Sequence, residues 1–187
     1  MTVTADSTLA QLTGDYAIDP SHSRIGFVAR HAMVTKVRGS FNEFEGTAHL
    51  DGANPAASTA RIVIKAASID TRNEQRDAHL RSNDFLAMDE FPEVTFVSTS
   101  VQQVAGDTFE LTGDLTIKGV TNSVTIPFTY EGSAQDPFGL NRVGFEGSVV
   151  INRKDYGVTW NAALETGGVL VSDKITLEFE VSAVKQA

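Results

Sequence analysis

The sequence predicts an all-β domain of about eight antiparallel strands that close into a barrel, with a short helix-and-loop lid over one end. Apolar residues recur with a period of two over most of the chain, the pattern of a half-buried strand. Short Gly-, Asn- and Asp-containing turns separate the alternating runs. Glycines stand inside these runs at Gly26, Gly39, Gly46, Gly113, Gly144 and Gly147, where a small barrel turns its corners. At 187 residues the chain fits one domain with a single core, expected over 15–187 behind a polar N-terminal leader over 1–14.

Tyr16 to Asp19 begin extended and meet Pro20, after which Ile25, Phe27, Ala29 and His31 share one face. The next run carries Val37, Gly39 and Phe41 inward. Phe44, Gly46, Ala48 and Leu50 take over after a shift at Asn42 and Glu43, the mark of a β-bulge. Beyond the turn at 51–55, Ala60, Ile62, Ile64 and Ala66 face one way. Residues 72–82 are polar and helix-compatible.

Over 77–96 the alternation stops. Leu80, Phe85, Leu86, Met88 and Phe91 crowd among charges, too irregular for a strand, and the stretch reads as a closure with Leu80 and Phe85 turned inward. Val94 and Phe96 then open a strand to about Val104. Phe109, Leu111, Gly113, Leu115 and Ile117 alternate in the next run, and Val124, Ile126, Phe128 and Tyr130 in the one after it. Pro127 marks an edge, a bulge or a weakly paired position there, because it cannot donate to a ladder. Residues 132–141 read as a loop, Phe145 to Arg153 as a strand, and 158–168, with Trp160, as a crossing loop. The last strand places Ile175, Leu177, Phe179 and Val181 inward against Lys174, Thr176, Glu178 and Glu180.

The formal charge of −9 and the absence of any Lys/Arg run longer than two argue against a nucleic-acid partner. No apolar run approaches the roughly 20 residues of a membrane-spanning helix, so integral membrane association is not expected. The first residues lack a basic region and a continuous apolar stretch, which points to a cytoplasmic protein. There is no cysteine, hence no disulfide or thiol chemistry. His22, His31, His49 and His79 show no metal-binding spacing, and no nucleophile elbow, P-loop or dinucleotide fingerprint is present. A metal site, a cofactor and an enzyme are therefore not expected.

Several stretches resemble the YceI family of bacterial polyisoprenoid-binding proteins: Ile18-Asp-Pro-Ser-His-Ser-Arg-Ile-Gly-Phe27, Gly39-Ser-Phe-Asn-Glu-Phe-Glu-Gly46, Asp77-Ala-His-Leu-Arg-Ser-Asn-Asp-Phe85, Phe91-Pro-Glu-Val-Thr-Phe96 and Asn152-Arg-Lys-Asp-Tyr-Gly157. The resemblance implies a lipocalin-like barrel around a long apolar pocket for a polyisoprenoid, an isoprenoid quinone or a similar amphiphile, often in a homodimer. Many members of the family are periplasmic and carry signal peptides, which this N-terminus does not show.

Read alone, the inward phenylalanines simply fill a barrel to normal density. With the resemblance, a cavity is expected among Ile25, Phe27, Phe41, Phe44, Ile62, Ile64, Leu80, Phe85, Phe96, Ile117, Phe128, Phe145, Trp160 and Phe179. Head-group or rim contacts are expected from His31, Arg76, His79, Arg81 and Arg153. Each has a structural alternative: His79 pins the lid, Arg76 and Arg81 belong to a solvated helix face that also holds Arg72, and Arg153 forms an internal ion pair with Asp155. Three functions stay open: a lipid-binding barrel, an enzyme acting through His79, and a packed barrel with a structural or stress-linked role.

Overall fold

The computed structural model describes residues 9–165 and 167–187. Its strands are β1 (Gly14–Ile18), β2 (Arg24–His31), β3 (Thr35–Phe41), β4 (Phe44–Leu50), β5 (Thr59–Lys65), β6 (Ile69–Asp70), β7 (Glu93–Gln103), β8 (Thr108–Ile117), β9 (Val120–Gln135), β10 (Asn141–Asn152) and β11 (Lys174–Lys185). The helix between β6 and β7 is α1 (Glu74–Arg81).

The six shorter strands act in pairs. β1 and β2 are one strand broken by the 3-10 turn Pro20–His22, β3 and β4 one strand broken at Asn42 and Glu43, and β5 and β6 one strand broken by the 3-10 turn Ala66–Ser68. β1 pairs with β4 and β2 with β3; likewise β4 pairs with β5 and β3 with β6. β11 closes the circle, pairing Ala183 with Ile18 of β1 and Leu177 with Phe27 of β2. The result is a closed barrel of eight antiparallel strands in sequential order. The parity change at Asn42 and Glu43 is one of its corners.

β9 continues to Gln135, opposite Asn141, so the loop expected over 132–141 shrinks to the turn 136–140. Pairing between β9 and β10 runs only as far as Phe128 and Gly147, one residue short of Pro127. The proline therefore sits where β9 has a ladder on the β8 side alone, and its missing N–H leaves no gap in a ladder.

Inward glycines seat aromatic rings. Phe27 lies over Gly39, its direct cross-strand partner, and Phe128 over Gly147 in the same relation. A Cβ at Gly147 would come within 2.7 Å of both the Phe128 ring and the Pro127 carbonyl oxygen. These rings can lie flat on the opposite strand because no side chain stands there.

The barrel has two unlike ends. One carries both described chain ends and the turns 51–58, 104–107 and 136–140; the other carries α1, the hairpin turn 32–34, the turn at Lys118 and Gly119, and the segment 153–173. Of the expected leader, residues 1–8 lie outside the described residues. Residues 9–13 belong to the barrel: Leu9 is 6% exposed, the Thr13 hydroxyl accepts from the Gly52 N–H, and Tyr16 donates to the Leu12 carbonyl. Leu9 and Leu12, three residues apart, supply the apolar side that fixes them. Among the described residues no helix is long and apolar enough to cross a membrane.

Candidate functional site

The barrel interior holds two cavities in tandem. The one at the α1 end measures about 160 Å³ and the one at the termini end about 150 Å³. No polar atom contributes to the wall of the first, and almost none to the wall of the second. An apolar cavity of about this size stays dry and accepts an apolar guest.

Ten of the fourteen residues expected to line a cavity surround the α1-end chamber. β2 and β3 contribute Ile25, Phe27 and Phe41, β5 contributes Ile62 and Ile64, and β7, β8 and β11 contribute Phe96, Ile117 and Phe179. Leu80 and Phe85 close the chamber from the lid, together with Leu86. Phe128 and Phe145 belong to the other chamber, and Ile62 touches both. Two expectations are corrected. Phe44 is buried opposite Ile64, directly after the corner at Glu43, and lines neither chamber. Trp160 packs on the lid instead, its ring 5.3 Å from Phe85 and 4.6 Å from His79.

The termini-end chamber is built from Tyr16, Leu50, Phe109, Tyr130 and Val181, with Leu9 and Leu12 across its end. These strand residues continue the same inward parity, which was the available signal. The N-terminal segment has no strand period to mark it.

The lid is tied down by its polar side chains. The α1 N-cap is Asn73, whose side chain accepts from the Arg76 N–H at 3.0 Å. Asp77, buried, accepts from both the N–H and the hydroxyl of Thr71. Arg76 donates to the Thr71 hydroxyl and carbonyl, each at 2.7 Å, and Arg81 to the carbonyls of Ala67 at 2.9 Å and Ile69 at 3.1 Å. Both guanidinium groups thus join α1 to the segment 67–71 around β6, and the head-group contacts expected of them are taken up by protein carbonyls and the Thr71 hydroxyl. Arg72 is exposed, with a left-handed backbone at φ 63°. His79 meets Asp84 at 2.8 Å and stacks edge-on against Phe85 and Trp160, which places it in the lid's outer layer. His31 is exposed at the end of β2, where its backbone bridges to Val171.

Arg153 is only 5% exposed, and its partner is not Asp155. It donates to the carbonyls of Ser172, Val158, Trp160 and Val171, while its nearest carboxylate, Asp173, stands 3.8 Å away. Burial pushes its pKa down, opposed by Asp173. Arg153 borders the α1-end chamber with its aliphatic stem, because the chamber wall contains no polar atom. In the same 3-10 turn, Arg153–Tyr156, the buried Tyr156 hydroxyl makes no well-formed hydrogen bond among the described residues, and burial raises its pKa against the opposing effect of the nearby Asn122 side chain. The crossing loop expected over 158–168 is thus part of a longer segment, 153–173, that forms the second half of the lid, with Val158 and Val171 in the chamber wall.

Among the described residues no group of three His, Asp or Glu is arranged to hold a metal ion. The arrangement can enclose hydrocarbon and presents almost no polar surface to it.

A closed eight-strand barrel, hollow and apolar within and capped by a helix, defines a lipocalin-like container. A family model, the YceI-like domain, matches residues 16–183, and the chain belongs to the YceI family. A UPF0312 protein of Staphylococcus aureus (strain MSSA476) is 39% identical over 170 residues, covering 90% of this chain and 95% of its own. BcnA of Burkholderia cenocepacia superposes with a TM-score of 0.78 at 25% identity, over 88% of this chain and 98% of its own. A polyisoprenoid binding domain from Saccharophagus degradans shares the fold, with a TM-score of 0.70 at 15% identity over 91% of this chain and 98% of its own.

Proposed function

We propose that the barrel binds the apolar chain of an amphiphilic lipid, a polyisoprenoid or isoprenoid quinone by preference, and stores or carries it with the head group outside. The observation that carries this reading is the pair of tandem chambers whose walls are almost free of polar atoms. Burying apolar surface yields about 25 cal/mol per Å². A chain that hides a few hundred Å² therefore gains several kcal/mol before the entropy cost of association. A polar head would find almost no polar surface inside and stays in water. The Saccharophagus degradans domain's name fits the same class of ligand.

An acid–base role for His79 draws on less. Its carboxylate partner Asp84 is half exposed, and its ring is held between Phe85 and Trp160. Native mass spectrometry of protein purified without detergent is expected to show a retained lipid. Delipidated protein is expected to regain it, with a change in Trp160 emission on adding an isoprenoid quinone. An empty protein whose emission ignores the quinone and every chain offered would overturn the proposal.

A further inference from the structure

We infer that the tip of the β2–β3 hairpin is a membrane-docking element, which inserts Met33 and Val34 into the surface of an anionic lipid bilayer. Met33 is 62% and Val34 75% exposed, and Val169 of the adjoining segment extends the apolar patch at 40%. The turn is not a relaxed one. Ala32 and Met33 both hold left-handed backbone, at φ 51° and 63°, where glycine or asparagine is ordinarily found. Strain of this kind persists where the surroundings over-determine it and gathers at sites of function. The base of the tip is fixed, since the Ala32 N–H donates to the Leu170 carbonyl at 2.8 Å and the Met33 sulfur packs over Gly168.

Charge chooses the occupant. In a chain of net charge −9, residues 20–42 contain no Asp or Glu and carry Arg24, Arg30, Lys36 and Arg38. Arg30 and Lys36 flank the tip and are exposed; Arg38 follows, 61% exposed and 3.8 Å from Glu178. The same end also carries carboxylates, Glu165 and Asp173 in the adjoining segment and Asp84, Asp89 and Glu90 in the lid, of which Asp173 already meets Lys154 at 3.3 Å and Asp84 meets His79 at 2.8 Å. Apolar residues ringed by cations are the pattern of segments that seat at an anionic lipid interface. Another exposed apolar tip, Phe138 at 88%, differs in charge: its turn 136–140 carries Asp136 and no Lys or Arg. Position supplies the purpose. Ala29 and Phe27 of β2, and Phe41 of β3, form the wall of the α1-end chamber, so docking the tip sets that chamber against the bilayer from which a chain would enter.

This purpose rests on the lipid-binding reading; the docking itself does not, and the two are separable. Sedimentation of the full chain with vesicles of phosphatidylglycerol or of phosphatidylcholine, at low and high salt, reads docking directly. A pyrene-labelled alkyl chain in vesicle-free solution reads the chamber. Wild type is expected to bind phosphatidylglycerol vesicles in low salt at least tenfold more tightly than phosphatidylcholine vesicles. Met33→Asp/Val34→Asp and, separately, Lys36→Glu are expected to lose that binding with the thermal midpoint and pyrene binding kept. Wild type that ignores phosphatidylglycerol, or variants that bind it undiminished, would overturn docking. So would a wild-type dimer in sedimentation velocity that the double variant splits without any vesicle binding, which would make the patch a self-association face. Vesicle binding without uptake of the pyrene chain would instead strike the lipid-binding reading and leave docking in place.

Discussion

The rings of Phe128 and Phe179 lie 5.8 Å apart, centroid to centroid, and they stand where the two chambers meet. Phe128 belongs to one wall and Phe179 to the other, with Ile62 in both. An apolar chain longer than one chamber has to displace this waist, so the pair sets the length that binds without rearrangement. Phe179→Ala is expected to join the chambers, costing about 3–5 kcal/mol of unfolding free energy in urea titration. Titration with alkyl probes of increasing length, followed by native mass spectrometry, should show the preferred length move upward. A lower stability with unchanged length preference would mark the pair as packing alone.

The Phe128 ring reaches the waist because Gly147 leaves room beneath it. A methyl group there would press on the ring and also on the Pro127 carbonyl oxygen, which belongs to backbone and cannot swing aside. Gly147→Ala is expected to cost about 1–3 kcal/mol in chemical denaturation, the range of overpacked cores. Gly106 provides the contrast, with nothing within 4 Å of an added Cβ and no left-handed φ. Gly106→Ala should fall within about 0.5 kcal/mol of wild type. Equal effects at the two sites would refute the seating of Phe128 on Gly147.

Much of this frame is legible in the sequence, and the reason is the period of two. Ile25, Phe27, Ile62, Ile64, Phe96 and Phe179 show their inward parity because each strand has one wet and one dry face. The corner at Asn42 and Glu43 shows for the same reason, as a change of parity. Two things do not show. Alternation is the same along the whole barrel, so it cannot tell that Phe128 and Phe179 divide the interior in two. The segment 153–173 and residues 9–13 follow no strand period. Arg153 binds carbonyl oxygens in the first of these, and carbonyls leave no mark in the pattern of side chains. Asp155, the near neighbour in sequence, was the natural partner to expect; the chain folds Val158, Trp160, Val171 and Ser172 around the guanidinium instead.

On the outer surface, Arg142 donates to Asp19 at 2.7 Å and to Asp136 at 2.8 Å. The Ser21 hydroxyl first, and then Arg142, hold the Asp19 carboxyl far below its ordinary value, and Arg142 lowers that of Asp136. The same bonds raise the pKa of Arg142. Both carboxylates are more acidic folded than unfolded, so their contribution is fully present above the unfolded value near 3.8 and is lost as pH falls from there through the folded values. Thermal midpoints are expected to hold level from neutral pH to about 5 at this site, then to fall below about 4. Arg142→Met should lower the midpoint at neutral pH and make the acid decline shallower. Parallel curves for the two proteins would exclude the linkage.

Arg153 is the test of how the second half of the lid is held. Its four carbonyl acceptors belong to Val158, Trp160, Val171 and Ser172, so one side chain gathers both limbs of the segment 153–173 over the chamber. Removing it leaves several buried acceptors without donors, at about 1–3 kcal/mol for each that water cannot reach. Lysine supplies three donors from a single nitrogen and cannot span the same set. Arg153→Lys is therefore expected to keep part of the stability, and Arg153→Met to lose about 3 kcal/mol or more. Hydrogen exchange locates the effect: the Val171 and Leu170 amides, which donate to Asn161 Oδ1 and the Ala162 carbonyl, should lose protection while the β8–β9 ladder keeps its own. The chamber should become leaky with them, so that a bound alkyl chain leaves faster from either variant. Loss of protection spread evenly over the barrel would assign Arg153 to global stability and take away its role as the clasp of the lid.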